Sequence, residues 1–115
     1  MAVLGLRTVV YKVANLEEAK NWYAEAFGIS PYFDEPFYAG FNIGGYELGL
    51  LPYEAEEVVH GNGSTTYWGV DNIEEVIETM VSLGASIGEK PMDVGEGVTV
   101  ASVKDPWNNI VGLIY

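Results

Sequence analysis

The stretch TTYWGVDNIEEV at residues 65–76 repeats, at one constant offset, the stretch TVVYKVANLEEA at residues 8–19. The first threonine, one valine, the asparagine and both glutamates are identical in the two copies. An internal repeat outranks local patterns as an indication of how a chain is organised. This repeat therefore predicts a chain built from two copies of one structural module.

Each copy reads as a strand that runs into a capped helix. The β-rich runs at 8–13 and 65–70 are followed by Asn15 and Asn72, whose side chains can accept from the first free helical N–H groups. A glutamate stands three residues after each asparagine, as in a capping box. Apolar residues then recur at helical spacing. The two predicted stripes are Leu16, Ala19, Tyr23, Ala26 and Phe27 in the first copy, and Ile73, Val76, Ile77, Met80 and Leu83 in the second.

Short strand-like runs split by proline and glycine follow each predicted helix, and Gly28 and Gly84 are placed as left-handed helix ends. The predicted strands are 31–33, 37–43 and 46–51 in the first copy, and 86–87, 97–103 and 110–114 in the second. The chain is thus predicted to be an α+β protein of two tandem βαβββ modules. We expect one domain over residues 1–115, with modules 6–51 and 64–115 joined by the linker 52–63.

Composition and charge exclude several classes of protein. The 115 residues are 49% hydrophobic, include no cysteine and carry a formal net charge of −12. Phosphate backbones and anionic membrane surfaces would be repelled by such a charge. A cationic small molecule would be attracted, although an acidic surface that only aids solubility is the alternative. No apolar run reaches the roughly 20 residues of a membrane span, and no signal peptide is recognisable. We therefore expect a cytoplasmic protein with no nucleic-acid or membrane partner.

Two such modules, together with the turn KDPWNN at residues 104–109, bring a known family into view. The chain resembles the vicinal oxygen chelate superfamily, which includes glyoxalase I, bleomycin-resistance and fosfomycin-resistance proteins and extradiol dioxygenases. The resemblance rests on the V-x-N-[LI]-E start of each helix, the F-G and L-G helix ends, and the D-P-x-x-N turn. It implies curved mixed sheets that face a central cleft. Proteins of this kind commonly pair modules across two chains, so a homodimer is expected, and whether modules pair within or between chains stays open.

The same resemblance places four metal-ligand positions in the metal-dependent members of the family. In this sequence they are occupied by Thr8, Gly49, Thr65 and Gly112. A threonine hydroxyl is a poor ligand for a transition metal and glycine has no side chain. A shift of two residues would supply only Glu47, and the single histidine, His60, falls in the linker. We therefore predict no metal and no cofactor.

Strand alternation predicts which side chains line the cleft. Candidate ligand-binding residues are Thr8, Glu47, Gly49, Thr65, Tyr67, Trp107 and Gly112. The two glycines are expected to leave space where carboxylates would have stood. Glu47 is a candidate general base if burial raises its pKa, although a hydrated sheet-edge glutamate is the alternative. Trp107 either closes over a ligand or covers the end of the sheet, and the apolar lining residues could instead fill a collapsed core.

Two classes of function follow from this interpretation. The first is a metal-free binding protein for a small, partly apolar molecule, with a cation among the candidates. The alternative is a small-molecule lyase, isomerase or dioxygenase of the same superfamily that uses Glu47 and Tyr67. Stoichiometric saturation without turnover would distinguish the binding protein from the enzyme. The sequence names neither the ligand nor a reaction.

Overall fold

The computed structural model describes residues 6–53 and 65–115. The chain divides into two compact units, residues 1–57 and 58–115, and each unit contains one copy of the repeat. The elements of the first unit are β1 (Thr8–Val13), α1 (Leu16–Phe27), β2 (Phe33–Glu35), β3 (Tyr38–Ile43) and β4 (Tyr46–Pro52). Those of the second are β5 (Thr66–Gly69), α2 (Ile73–Ser82), β6 (Ser86–Ile87), β7 (Met92–Gly95), β8 (Val98–Lys104) and β9 (Ile110–Ile114).

Each unit builds one mixed sheet with the same topology. The strand order is β1-β4-β3-β2 in the first sheet and β5-β9-β8-β6 in the second, where β7 also pairs with β8. The first strand of each module is parallel to the last, and the remaining pairs are antiparallel. The predicted α+β class and the two mixed sheets are confirmed.

The asparagine caps form as the repeat predicts. The side-chain oxygen of Asn15 accepts the backbone N–H of Glu18 at 3.0 Å, and that of Asn72 accepts the N–H of Glu75 at 3.1 Å. Gly28 closes α1 in the left-handed conformation, with φ of 68°. Both modules therefore start their helices by the same local chemistry. Across residues 6–53 and 65–115, neither helix is long and apolar enough to cross a membrane.

The core of each unit lies between its helix and one face of its sheet. In the first unit the rings of Trp22 and Tyr23 pack edge to face at 4.8 Å, and Tyr23 also lies 5.8 Å from Tyr11. Leu48 and Leu50 are fully buried on the same side, as the predicted alternation requires. In the second unit Val111 and Leu113 take the equivalent places. The opposite face of each sheet, here called its open face, is left for other contacts.

One predicted strand has other bounds in the structure, and one strand was not predicted. The second strand of the first module is Phe33–Glu35 rather than residues 31–33, because the Tyr32 N–H already donates to the Gly40 carbonyl from a bend before the strand. In the second module β7 was missed. It lies along the same edge of β8 as β6, and the two are separated by residues 88–91, where Pro91 has no N–H to continue the pairing.

Candidate functional site

The open face of the first sheet carries a single carboxylate on its central strand β4. Alternation along β4 sends Leu48 and Leu50 into the core and leaves Glu47 half-buried on the open face. Thr8 on β1 is the register partner of Glu47 on one side, and Asn42 on β3 is its partner on the other. Glu47 is therefore held in a row of polar residues that crosses three strands.

Two tyrosines converge on the Glu47 carboxylate. The Tyr32 hydroxyl donates a hydrogen bond to Oε1, and the Tyr38 hydroxyl donates one to Oε2. Tyr38 begins β3, whereas Tyr32 stands in the bend before β2. We call Tyr32, Tyr38 and Glu47 the tyrosine–carboxylate cluster. Since a carboxylate offers about four acceptor positions, the cluster keeps acceptor capacity for a further donor.

Two glycines form the floor under the tyrosine rings. Gly40 and Gly49 are register partners on β3 and β4. A Cβ atom on Gly49 would stand 2.7 Å from Cζ of Tyr38, and one on Gly40 would stand 3.1 Å from Cε2 of Tyr38 and 3.2 Å from Cε1 of Tyr32. Because neither glycine has a side chain, both rings can lie directly against the sheet and reach Glu47.

The contacts within the cluster lower the pKa of Glu47 and raise the pKa values of both tyrosines. Hydrogen bonds from Tyr32 and Tyr38, with a smaller contribution from the charge of Arg7, lower the pKa of Glu47 despite its partial desolvation. Desolvation and the hydrogen bond to Glu47 raise the pKa of Tyr38 to about 12. The hydrogen bond that Tyr32 itself donates to Glu47 raises the pKa of Tyr32. At neutral pH the site therefore holds one ionised carboxylate and two neutral phenols.

This electrostatic state removes the condition on which Glu47 was a candidate general base. That role required burial to raise its pKa, and its pKa is instead lowered by the two phenol donors. A carboxylate with a depressed pKa takes up protons weakly near pH 7. The cluster is better suited to holding a charge or accepting hydrogen bonds than to moving a proton.

The expected empty space above Gly49 is absent. The Tyr38 ring occupies the position where a side chain at residue 49 would stand, so this part of the prediction was wrong. Thr8 does lie on the open face beside Glu47, half-buried, as alternation predicts. Glu47, rather than Gly49, is the β4 residue directly next to Thr8 in the parallel pair.

The space beside Gly112 in the second sheet is occupied as well. A Cβ on Gly112 would stand 2.7 Å from the carbonyl oxygen of Thr66, 2.7 Å from Cδ1 of Tyr67 and 3.0 Å from Cγ2 of Thr65. Tyr67 is the register partner of Gly112, and its side chain is 48% exposed. Gly112 therefore allows close approach of β5, and the predicted gap at this position was also wrong.

Trp107 belongs to the turn before β9, where it is only 9% exposed. Asp105 orders this turn, since its Oδ1 accepts the backbone N–H groups of Trp107 at 2.9 Å and Asn109 at 2.7 Å. Its Oδ2 accepts the side-chain amide of Asn109 at 3.0 Å. The burial of Trp107 favours packing at the end of the sheet over closure on a ligand.

Sequence reasoning missed Tyr32 and Tyr38. A signal for Tyr38 was present, because the two-residue turn Gly44–Gly45 pairs Ile43 with Tyr46 and thereby fixes the register of β3 on β4. Counting back from that turn puts Tyr38 on the same face as Glu47. Tyr32 had no such signal, since it lies in a bend outside the regular strand.

The donor set for a metal is sparse in the part of the chain that the structure describes. Among residues 6–53 and 65–115, no three side chains of histidine, cysteine, aspartate or glutamate are grouped closely enough to hold a metal ion. His60 lies outside the described residues. The absence of a bound metal thus remains a prediction from Thr8, Gly49, Thr65 and Gly112.

Comparison with known families gives one match over nearly the whole chain. The sequence model of the glyoxalase/bleomycin resistance protein/dioxygenase superfamily matches residues 5–113. None of the curated proteins is a significant match by sequence.

Solved structures with the same fold are distant in sequence. A glyoxalase/bleomycin resistance protein/dioxygenase family enzyme from Burkholderia phytofirmans PsJN has a TM-score of 0.79 and 17% identity, covering 93% of this chain and 94% of its own. A fosfomycin resistance protein from Mesorhizobium loti has a TM-score of 0.75 and 16% identity, covering 97% and 92%. A lactoylglutathione lyase from Agrobacterium tumefaciens has a TM-score of 0.72 and 16% identity, covering 99% and 95%. At these identities the likeness shows the fold alone.

Proposed function

We propose, since the chain belongs to the glyoxalase/bleomycin resistance protein/dioxygenase superfamily, that it binds a small, partly apolar molecule without a metal. The observation that carries this proposal is the tyrosine–carboxylate cluster on the open face of the first sheet. A few convergent polar groups among aromatic side chains are typical of small-molecule sites. The cleft expected between the modules remains a prediction, and the proposal concerns this face alone.

The chemistry of the cluster supports binding over turnover. Glu47 is ionised and already accepts from two phenols, and both phenols have pKa values above their ordinary range. Such groups hold a ligand by hydrogen bonds and charge, while they neither accept nor release protons readily near pH 7. The alternative, a lyase, isomerase or dioxygenase activity, would need a second set of groups to carry the reaction.

Binding can be tested without knowing the ligand in advance. We would record native mass spectra of the purified protein to find a retained small molecule, and then titrate it with fosfomycin, S-lactoylglutathione and bleomycin. The expected result is either a retained compound or saturation at one molecule per chain, with the compound recovered unchanged. Consumption of the compound would instead favour the enzyme.

Matched variants locate the site. Tyr38→Phe and Glu47→Gln should weaken binding. Tyr46→Phe should not, because it removes a hydroxyl from the residue next to Glu47 on β4, whose side chain alternates to the other face of the sheet. If all three variants bind like the wild type, the ligand sits elsewhere. A protein that retains nothing and saturates with none of the three compounds would contradict the proposed function.

The metal-free part of the proposal has its own measurement. Elemental analysis of protein purified without chelator should find no stoichiometric zinc, nickel, iron or manganese. About one metal per chain, removed by chelator together with ligand binding, would contradict it.

A further inference from the structure

Four aromatic rings of the segment 32–38 lie next to one another, and three of them are exposed while Tyr38 is half-buried. Tyr32 and Phe37 are each 63% exposed and Phe33 is 39% exposed. The Phe33 ring lies 6.1 Å from Phe37 and 6.0 Å from Tyr38, in edge-to-face contacts. Tyr32 and Tyr38 in turn share the Gly40 floor and the Glu47 carboxylate. A contiguous exposed aromatic surface is more often an interaction site than are exposed rings scattered singly over a protein.

Negative charge surrounds these rings. Glu47 lies among them as a carboxylate, Glu35 is exposed on the same segment, and the whole chain carries a net charge of −12. Each phenol that donates to Glu47 is polarised by that anion, which increases the electron density of its ring. Electron-rich ring faces beside a carboxylate attract cations.

The basic side chains of the first unit do not neutralise the negative charge of Glu47. Lys20 is held by Glu17 at 2.8 Å and by Asp34 at 3.0 Å, so its charge is matched on the side of α1. Arg7 acts on Glu47 only as the smallest of the causes that shift its pKa. Lys12 on β1 is the register partner of Leu51, four positions along β4 from Glu47.

We propose that the aromatic segment 32–38 and Glu47 together select a ligand with an alkylated ammonium group, which would rest on the exposed ring faces with Glu47 as its counter-charge. The inference rests on the proposed function and specifies the chemical class of the ligand. Aromatic faces bind quaternary ammonium groups well because such cations are poorly hydrated and cannot donate strong hydrogen bonds elsewhere.

The test uses two compounds of nearly equal shape and different charge. Choline carries a trimethylammonium group, and 3,3-dimethylbutan-1-ol carries a neutral tert-butyl group in its place. Titrations followed by NMR of the aromatic side chains should show choline binding at least about tenfold tighter than the neutral compound, as charge and cation–π attraction together predict. The preference should shrink as salt is added, because the charges are partly exposed.

Variants separate the two contributions. Glu47→Gln should abolish most of the preference for choline while leaving the weak binding of the neutral alcohol unchanged. Phe37→Leu should weaken choline binding by about threefold through loss of one ring face, and its high exposure makes loss of the fold a minor concern. Tyr46→Phe, on the opposite alternation, should leave both affinities at the wild-type value.

The outcomes distinguish this inference from the proposed function. Equal affinity for the two compounds would overturn selection of a cation and leave a binding site for small molecules intact. Binding of neither compound by a protein that retains another ligand in native mass spectra would overturn the inference in the same way. Failure of every ligand in both experiments would remove the proposed function as well.

Discussion

A hydrogen atom on Gly49 faces the Tyr38 ring where any other amino acid would place a carbon. The same holds at Gly112, but the neighbour there is the backbone oxygen of Thr66. A side chain can rotate away from a new methyl group, whereas a paired strand cannot move without breaking its register. Two glycines that the sequence repeat makes equivalent therefore have different consequences when they are replaced.

We expect Gly112→Ala to destabilise the protein by about 1–3 kcal/mol, because its Cβ would be forced against the β5 backbone. Gly49→Ala should cost about 1 kcal/mol or less, since Tyr38 can leave Glu47 and become hydrated. Chemical denaturation of the two variants measures the difference. The larger substitution Gly112→Phe, which an empty gap would have tolerated, should destabilise the fold further. Equal losses at the two positions would contradict the structural distinction.

The tyrosine–carboxylate cluster should be visible in titrations. The pKa of Glu47 should be below the ordinary glutamate value of 4.5, and it should rise in Tyr32→Phe and Tyr38→Phe because each variant removes a donor. Since the folded-state pKa is lowered, the cluster stabilises the protein above the ordinary glutamate value, and this contribution is lost as pH falls through the lowered value. NMR of the Glu47 carboxyl carbon measures the shift directly.

The alkaline side gives an independent check. The pKa of Tyr38 is raised to about 12 from 10.0, so its protonated form stabilises the fold below pH 10 and this contribution disappears as pH rises through about 12. Phenolate absorbance should show one tyrosine titrating near that value, and Glu47→Gln should lower it. A Tyr38 pKa that does not change in Glu47→Gln would mean that the hydroxyl does not donate to Glu47.

At the scale of elements, tight turns decide which residues share a face. Gly44 and Gly45 have φ values of 59° and 93°, which suits the two-residue hairpin between β3 and β4. The hairpin between β7 and β8 uses Glu96 and Gly97 instead, with φ values of 54° and 78°. Glu96 is therefore an ordinary side chain in a left-handed conformation, for which asparagine and glycine are better suited.

We expect Glu96→Asn to stabilise the protein by about 0.5–1 kcal/mol, because asparagine tolerates the left-handed conformation. Glu96→Gln serves as the control, since it removes the same charge and keeps a side chain that disfavours positive φ. Thermal or urea unfolding of both variants makes the comparison. An equal gain from the two would assign the effect to charge rather than to backbone conformation.

Local chemistry made most of the elements predictable. The caps at Asn15 and Asn72 and the alternation of Leu48 with Glu47 depend on neighbours in sequence, and these predictions are confirmed. β7 was missed because Pro91 and Gly88 interrupt the run, although both flanking segments pair with the same strand. The filling of the space above Gly49 depends on a ring that comes from another strand, and the pattern of β4 alone carries no information about it.

At the scale of the whole molecule, the edge strands of the sheets are the places where a strand of another chain can pair. β2 is an edge strand of the first sheet, and its three residues are all exposed. Asp34 and Glu35 place charge on that edge, which discourages uncontrolled association. Edge strands are also where a second chain can add in a defined way, and the homodimer expected from the sequence stays a prediction.

Multi-angle light scattering tests the expected homodimer. We expect a mass of twice 12.6 kDa at micromolar concentration. Phe33→Asp would add a charge next to Asp34, and it should shift the mass toward the monomer if the β2 edge forms the contact. A monomer mass for the wild type at the same concentration would contradict the prediction of a homodimer.

The Tyr38 ring over Gly49 also limits which side chains residue 49 can carry. Residue 49 is a position where metal-dependent relatives are expected to carry a ligand, and here any such side chain would collide with Tyr38. A larger side chain at residue 49 would displace the Tyr38 ring from the sheet and so deprive Glu47 of a donor. A metal ligand at residue 49 and an intact tyrosine–carboxylate cluster therefore exclude one another at this site.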